Sequence, residues 1–161
     1  ENMMSIKVGI IGLGKIAQST YLPLLSTLKE VEIVGAYSPT KAKAKIICEQ
    51  YQITYIKSLE EIVKTADALF VHSSTASHYE IISYILDQGK PVYVDKPLAE
   101  TVEQSEELVE KATRKNLQLM VGFNRRYAPT YQLLKNKIKK MRLIKGEKNR
   151  MEVKNNKTEE I

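Results

Sequence analysis

The run Ile6-Lys7-Val8-Gly9-Ile10-Ile11 stops at Gly12-Leu13-Gly14-Lys15-Ile16-Ala17, and the residues that follow, IAQSTYLPLLSTL, have the content of a helix. A largely apolar strand turned straight into a helix by two glycines leaves few folds open. Strands without clean polar alternation are covered on both faces, which calls for a parallel sheet packed by helices. The chain then repeats the alternation. Pro23 is expected to open a second helical piece with Leu24, Leu25 and Leu28 on one face, since proline is tolerated in a first turn and disruptive later.

Val31 to Tyr37 reads as the second strand, with Ser38-Pro39 expected as cap and first helical residue of a helix over Lys41 to Tyr51. Ser58-Leu59-Glu60-Glu61 is a capping box ahead of the buried-type strand Ala68-Leu69-Phe70-Val71. Ile81, Ile82, Ile85 and Leu86 form a helical stripe that stops at Gly89, and Val92-Tyr93-Val94 is the next strand. Thr101 and Gln104 form another capping box, continued by Ser105, Leu108, Val109 and Ala112, before a strand over Leu117 to Val121. Strands alternating with helices predict an α/β fold with a doubly wound parallel sheet.

Ligands of such sheets bind beyond the carboxyl ends of the strands. The GxGxxA turn suits a dinucleotide there. Its glycines let the backbone approach a pyrophosphate, and the small Ala17 lets helix and strand pack closely. The second strand bears on the choice of dinucleotide, because an NAD site commonly has an acidic residue at its end. Here the chain reads Ser38-Pro39-Thr40-Lys41, whose hydroxyls and lysine favour a 2′-phosphate and hence NADP over NAD. The competing reading makes Lys41, Lys43 and Lys45 an ordinary solvated helix face. Asp95-Lys96-Pro97, at the end of the Val92 strand, is in the same way either part of the crevice or a pair of solvated loop charges. His78 is read as a capping or hydrogen-bonded histidine rather than a proton donor, and His72 as structural.

Several function classes are excluded or weakened. One cysteine, Cys48, rules out an internal disulfide and a multi-cysteine metal site, and two histidines without clustered carboxylates argue against any metal. No apolar run reaches the length of a membrane span. The start, ENMMS, lacks the basic and apolar regions of a signal peptide, which predicts a cytoplasmic protein. The net charge of +6 is concentrated near the end: residues 135–157 carry a balance of +8 and the remainder −2. No aromatic interleaves those late charges to stack on bases, so a nucleic-acid partner is not expected.

Taken together in this order, GIIGLGKIA, VHSSTASHYE, VDKP and VGFNRRYAPTY resemble the Gfo/Idh/MocA family of oxidoreductases, and among them the MviM-like members, over residues 5 to about 150. The resemblance implies a Rossmann dinucleotide-binding domain at 1–140, with 141–161 as the first strand or remnant of a C-terminal substrate and oligomerisation domain that is otherwise missing. It implies NAD or NADP as cofactor, a carbohydrate-like substrate, and a homo-oligomer when complete. Lys96 takes the place of the family's catalytic lysine, with Asp95 standing where glutamate is commoner and Pro97 shaping the turn beside the nicotinamide. Gly12, Gly14, Lys15, Ile16 and Ala17 carry over as the phosphate turn, Ser73, Ser74 and His78 as a cofactor-lining stretch, and Asn124 and Arg125 as residues near nicotinamide and substrate. Ser73-Ser74 departs from the family's usual Thr-Pro. The expectation from sequence is thus the cofactor half of an NAD(P)-dependent oxidoreductase, inactive alone. A non-catalytic dinucleotide sensor is the alternative, and a methyltransferase would leave VDKP and VGFNRRY without a role.

Overall fold

The computed structural model describes residues 5–124 and 130–159. Five strands, β1 (Ile6–Ile11), β2 (Val31–Tyr37), β3 (Ala68–Val71), β4 (Val92–Lys96) and β5 (Leu119–Asn124), form one sheet in the order β2-β1-β3-β4-β5. Every neighbouring pair is parallel. The chain leaves β1 towards β2, then returns across β1 to β3, so the order reverses between β1 and β3. That reversal opens a crevice at their carboxyl ends.

The helices are α1 (Leu22–Thr27), α2 (Lys41–Gln50), α3 (Leu59–Thr65), α4 (Thr75–Asp87), α5 (Val102–Arg114) and α6 (Tyr131–Glu159). Alternation along the strands sends side chains to two separate cores. Val8, Ile10, Phe70 and Tyr93 pack with Leu22 and Leu25 of α1, Ile47 of α2 and Leu134 and Ile138 of α6. Leu69, Val71, Val92 and Val94 pack on the other face with Ile62 of α3, Ile82 and Ile85 of α4 and Leu108 of α5. The sheet is therefore covered on both faces, as its apolar strands require.

The capping expectations hold for α3 and α5, where Ser58 and Thr101 accept from the backbone N–H of Glu61 and Gln104. The expected start of α2 is corrected. Its N-cap is Thr40 and its first residue Lys41, so Ser38 and Pro39 stay in the loop and remain at the sheet edge. Helix ends follow the left-handed pattern: Gly89 has φ +76° and Lys90 N–H reaches back to Ile85 O. Asn116 does the same at φ +54°, with Leu117 N–H on Ala112 O, and this delays β5 to Leu119 rather than the expected Leu117.

The strand expected from Met141 onwards is also corrected, because these residues continue α6. Leu134, Ile138 and Met141 recur at helical spacing and are all buried against the β1 side of the sheet. Lysine, arginine and glutamate are good helix formers, and a strand here would have lacked a partner edge. Lys145 fixes the helix further through Asp67 at 2.6 Å.

Cys48 lies in the core on α2, and burial pushes its thiol above the ordinary range. Both effects suppress the thiolate that reacts. The folded chain is expected to react with an aromatic disulfide reagent at least about 100-fold more slowly than the unfolded chain, as the sub-global opening needed to expose a core site is rare. Stopped-flow labelling with and without denaturant measures this. Equal rates would contradict the placement.

Candidate dinucleotide site at the carboxyl edge of the sheet

Four loops converge on the carboxyl ends of β1 to β4. Gly12, first after β1, has φ +93° and hydrogen-bonds its N–H to Tyr37 O at the end of β2. A Cβ at Gly12 would lie 2.5 Å from Ser73 N and 2.6 Å from His72 C, so the β1 turn rests directly on the backbone that leaves β3. Gly14 is the reverse case. It is exposed, and a Cβ there would meet nothing within 4 Å. One glycine therefore closes the turn and the other leaves its outer face open to an approaching group.

Lys15 is exposed at the start of the helix, while Ala17 is fully buried, as close packing of helix on sheet demands. Ile16 packs partly into the β1-side core. Ala17–Tyr21 then forms a π-helical turn that runs directly into α1, with Pro23 in its first turn. Such turns are rare and concentrate at functional sites.

At the end of β2, Ser38 is half-buried, and Thr40 and Lys41 are exposed at the amino end of α2. Of the three lysines there, Lys45 lies over the Tyr55 ring, 5.9 Å from its centroid, and Lys41, the first residue of α2, follows the strand end most directly. After β3, Ser77 donates to Ser74 O at 2.6 Å and contacts Ser73 Oγ at 2.8 Å, which shapes the entry to α4. Ser73 stays half-buried and Ser74 exposed.

His78 does not face the crevice. It is fully buried, with Nδ1 3.0 Å from Pro97 O and Nε2 3.0 Å from Ser73 O. It ties the loop after β3 to the turn after β4 and acts on the edge from behind, as its reading as a hydrogen-bonded histidine requires. The Lys96–Pro97 peptide is cis, and both residues are exposed.

Asp95 is likewise withdrawn. It is 1% exposed, and both carboxylate oxygens are engaged: Tyr21 OH donates at 2.6 Å and His72 Nδ1 at 2.7 Å. Because the single Tyr21 proton goes to Asp95, the 2.9 Å contact between Tyr21 and Tyr93 is donated by Tyr93. Tyr21 also stacks on His72 with ring centroids 4.0 Å apart. Burial, and then the bonds to Asp95 and Tyr93, raise the Tyr21 hydroxyl well above its ordinary value, so it remains a donor. Removing one member of such a group leaves another buried and unsatisfied, at a cost of about 1–3 kcal/mol.

Strand alternation puts Asp95 on the side of Tyr93 and away from Val94 and Lys96, a signal that the sequence reading did not use and that outweighs the charge. Tyr21, missed from sequence, stands one helical step beyond Ala17 on the same buried face. Opposite Asp95, β5 contributes two residues, Gly122 and Phe123, between the pairs Val94–Val121 and Lys96–Asn124. A Cβ on Gly122 would sit 2.1 Å from the Tyr93 hydroxyl, so glycine there makes room for the hydrogen-bonded ring. Bulges of this kind re-aim strand ends next to active sites.

The backbone of Asn124 lies beside Lys96 at the same edge. Arg125 lies outside the described residues. Among the described residues no group of His, Cys, Asp and Glu could hold a metal, and no helix is long and apolar enough to cross a membrane.

The edge therefore presents the glycine turn, the β2 end, the Ser73-Ser74 loop and Lys96, with Asp95 and His78 supporting it from within. Comparison with known proteins bears on the fold and the family. Residues 6–123 match the family described as an oxidoreductase family with an NAD-binding Rossmann fold. The chain is 47% identical to the protein YceM of Salmonella typhimurium over 148 residues, 92% of this chain and 48% of YceM. It is 30% identical to glucose-6-phosphate 3-dehydrogenase of Bacillus subtilis over 132 residues, 82% of this chain and 37% of that enzyme. The crystal structure of the dehydrogenase MviM from Clostridium difficile superposes with a TM-score of 0.72 and 55% identity, over 81% of this chain and 43% of MviM. The chain thus spans less than half the length of each. It belongs to the Gfo/Idh/MocA family of oxidoreductases and carries that family's NAD-binding Rossmann domain.

Proposed function

We propose that this chain is the cofactor-binding part of an enzyme that moves a hydride between NADP(H), in preference to NAD(H), and a sugar, polyol or related alcohol. The observation that carries the reading is the meeting of Gly12 with the Ser73 backbone, beside an open Gly14 and within the same strand-end edge as an exposed Lys96. Residues 1–140 are the dinucleotide-binding unit in this reading, and 141–161 lead towards a further domain that completes the substrate site and the oligomer. The substrate class follows from relatives such as glucose-6-phosphate 3-dehydrogenase, whose name places a redox step on a sugar carbon.

Bound NAD(P) supplies the hydride acceptor or donor. The chain's own residues then have three tasks. The backbone at Gly12–Ala17 and the amino end of the helix after it would hold the phosphates. Ser38, Thr40 and Lys41 would meet the adenosine ribose, where a 2′-phosphate distinguishes NADP. Lys96 would manage the one proton: oxidation of an alcohol releases a hydroxyl proton as its carbon loses hydride, and Lys96 Nζ would take it or, in reduction, return it.

Cofactor preference tests this assignment. Calorimetric titration should show NADPH binding more tightly than NADH, and Lys41→Glu should narrow the gap by about tenfold, the worth of one well-placed charge contact. Tighter binding of NADH by the unaltered chain would contradict the role given to the β2 end.

A further inference from the structure

We propose that Asp95, held by Tyr21 and His72, is a positioning residue that couples occupancy of the glycine turn to the placement of Lys96. This rests on the reading of that turn as a dinucleotide site. Two separate connections run from the turn to one carboxylate. Gly12 lies against the backbone of His72 and Ser73, and the His72 ring donates from Nδ1 to Asp95 Oδ2 at 2.7 Å. The helix that leaves the turn passes through the π-helical residues Ala17–Tyr21, and the Tyr21 hydroxyl donates to Asp95 Oδ1 at 2.6 Å.

Asp95 is the residue before Lys96, so any tilt of its peptide re-aims the lysine. A buried carboxylate with each oxygen on a different donor cannot turn without straining one of them. The two donors come from opposite sides of the glycine turn, one from the strand beside it and one from the helix after it. A shift of that turn on binding phosphates is therefore delivered to Asp95 as a change in both bonds. The π-helical turn is the yielding part of the path, since its backbone bonds depart from the regular helical ladder. On the far side, Gly122 and Phe123 stand opposite Asp95, so the regular pairing is interrupted at that residue and resumes at Lys96 with Asn124. None of this requires Asp95 to touch the cofactor, and its burial prevents it from doing so.

The test uses a probe that fills the glycine turn and adenosine region but lacks the nicotinamide: 2′-phospho-ADP-ribose, with ADP-ribose in parallel. A response at Lys96 is then transmitted and not caused by a neighbouring ring. In isotope-labelled chain, the amide signals of Gly14 and Lys96 are expected to move together with the same midpoint, while the His72 nitrogens show a protonated Nδ1. In Asp95→Asn, the probe should bind with affinity within about threefold of the original, the Lys96 displacement should fall about twofold or more, and the His72 signature should change.

Tyr21→Phe keeps the ring stacked on His72 and removes only the hydroxyl, and should reduce the Lys96 displacement while leaving His72 protonated on Nδ1. It carries the test if Asp95→Asn does not fold. A Lys96 displacement that is unchanged in the folded variants would overturn the coupling, as would a still Lys96 in the original chain when Gly14 responds. Failure of both probes to move Gly14 would instead overturn the dinucleotide reading, and the coupling with it.

Discussion

Lys96→Met in the full-length enzyme is expected to lower turnover by about 100-fold or more, the usual contribution of a positioned acid or base, while dinucleotide affinity stays nearly unchanged. Lys96 is exposed at the end of β4, and Pro97 follows it directly, so the side chain emerges at the crevice from a stiffened backbone. Methionine keeps the unbranched stem and removes the ammonium. Lys90, at the other end of the strand, is an unsuitable control because its Nζ holds Ala66 O at 2.8 Å. Lys29, exposed between α1 and β2, serves better. Equal turnover in the Lys96 and Lys29 variants would reduce Lys96 to a solvated charge.

The second large effect separates the two glycines of the turn. Gly12→Ala must accommodate a methyl group within 2.6 Å of two backbone atoms while holding φ at +93°, and no flexible side chain is there to give way. It should lower the melting temperature and abolish measurable dinucleotide binding together, with backbone strain alone costing about 1–3 kcal/mol. Gly14→Ala meets no neighbouring atom within 4 Å. Its melting temperature should be unchanged, yet the methyl group would stand where the phosphates are proposed to approach, and affinity should fall about tenfold or more. Calorimetry and thermal melting on both variants check this. A Gly14→Ala chain that binds like the original would show that the open face of the turn is not used.

The strands were legible because their signal is local: an apolar run bounded by glycine, proline or a capping residue reads the same in sequence and in the sheet. The helix starts at Ser58 and Thr101 were legible for the same reason, since the cap and its recipient N–H are three residues apart. The start of α2 was not. Ser-Pro favours a helix start locally, but the chain bends at Pro39 and the helix begins only after Thr40, whose side chain makes no capping bond, so tertiary placement decides. At the carboxyl end, Lys-rich helix propensity and the Leu134, Ile138, Met141 spacing carried more weight than the β-like composition of MRLIKG.

The site divides similarly. The places of Gly12 and Gly14 in the turn after β1, and of Lys96 at the end of β4, were readable from motifs that fix backbone geometry. His78 was legible as a hydrogen-bonded histidine, though not in its partners; Asp95 stood between crevice and solvent because its charge drew more weight than its alternation with Tyr93. Three of the hydrogen-bond partners, Tyr21, His72 and Pro97, come from distant parts of the chain and are visible only once it is folded, while Ser73 stands five residues before His78.

Every role proposed above depends on the carboxyl edge of the sheet taking NAD(P), a dependence that can be checked. It is tested most directly by titrating the labelled chain with NADPH and recording which backbone amides respond. Perturbations are expected to gather at Gly12 to Ala17, Ser38 to Lys41 apart from Pro39, Ser73-Ser74 and Asp95-Lys96, with the basic face of α6 silent. Shifts confined to the lysines of α6, which would mark unspecific attraction of a phosphate by the +8 segment at 135–157, would contradict it.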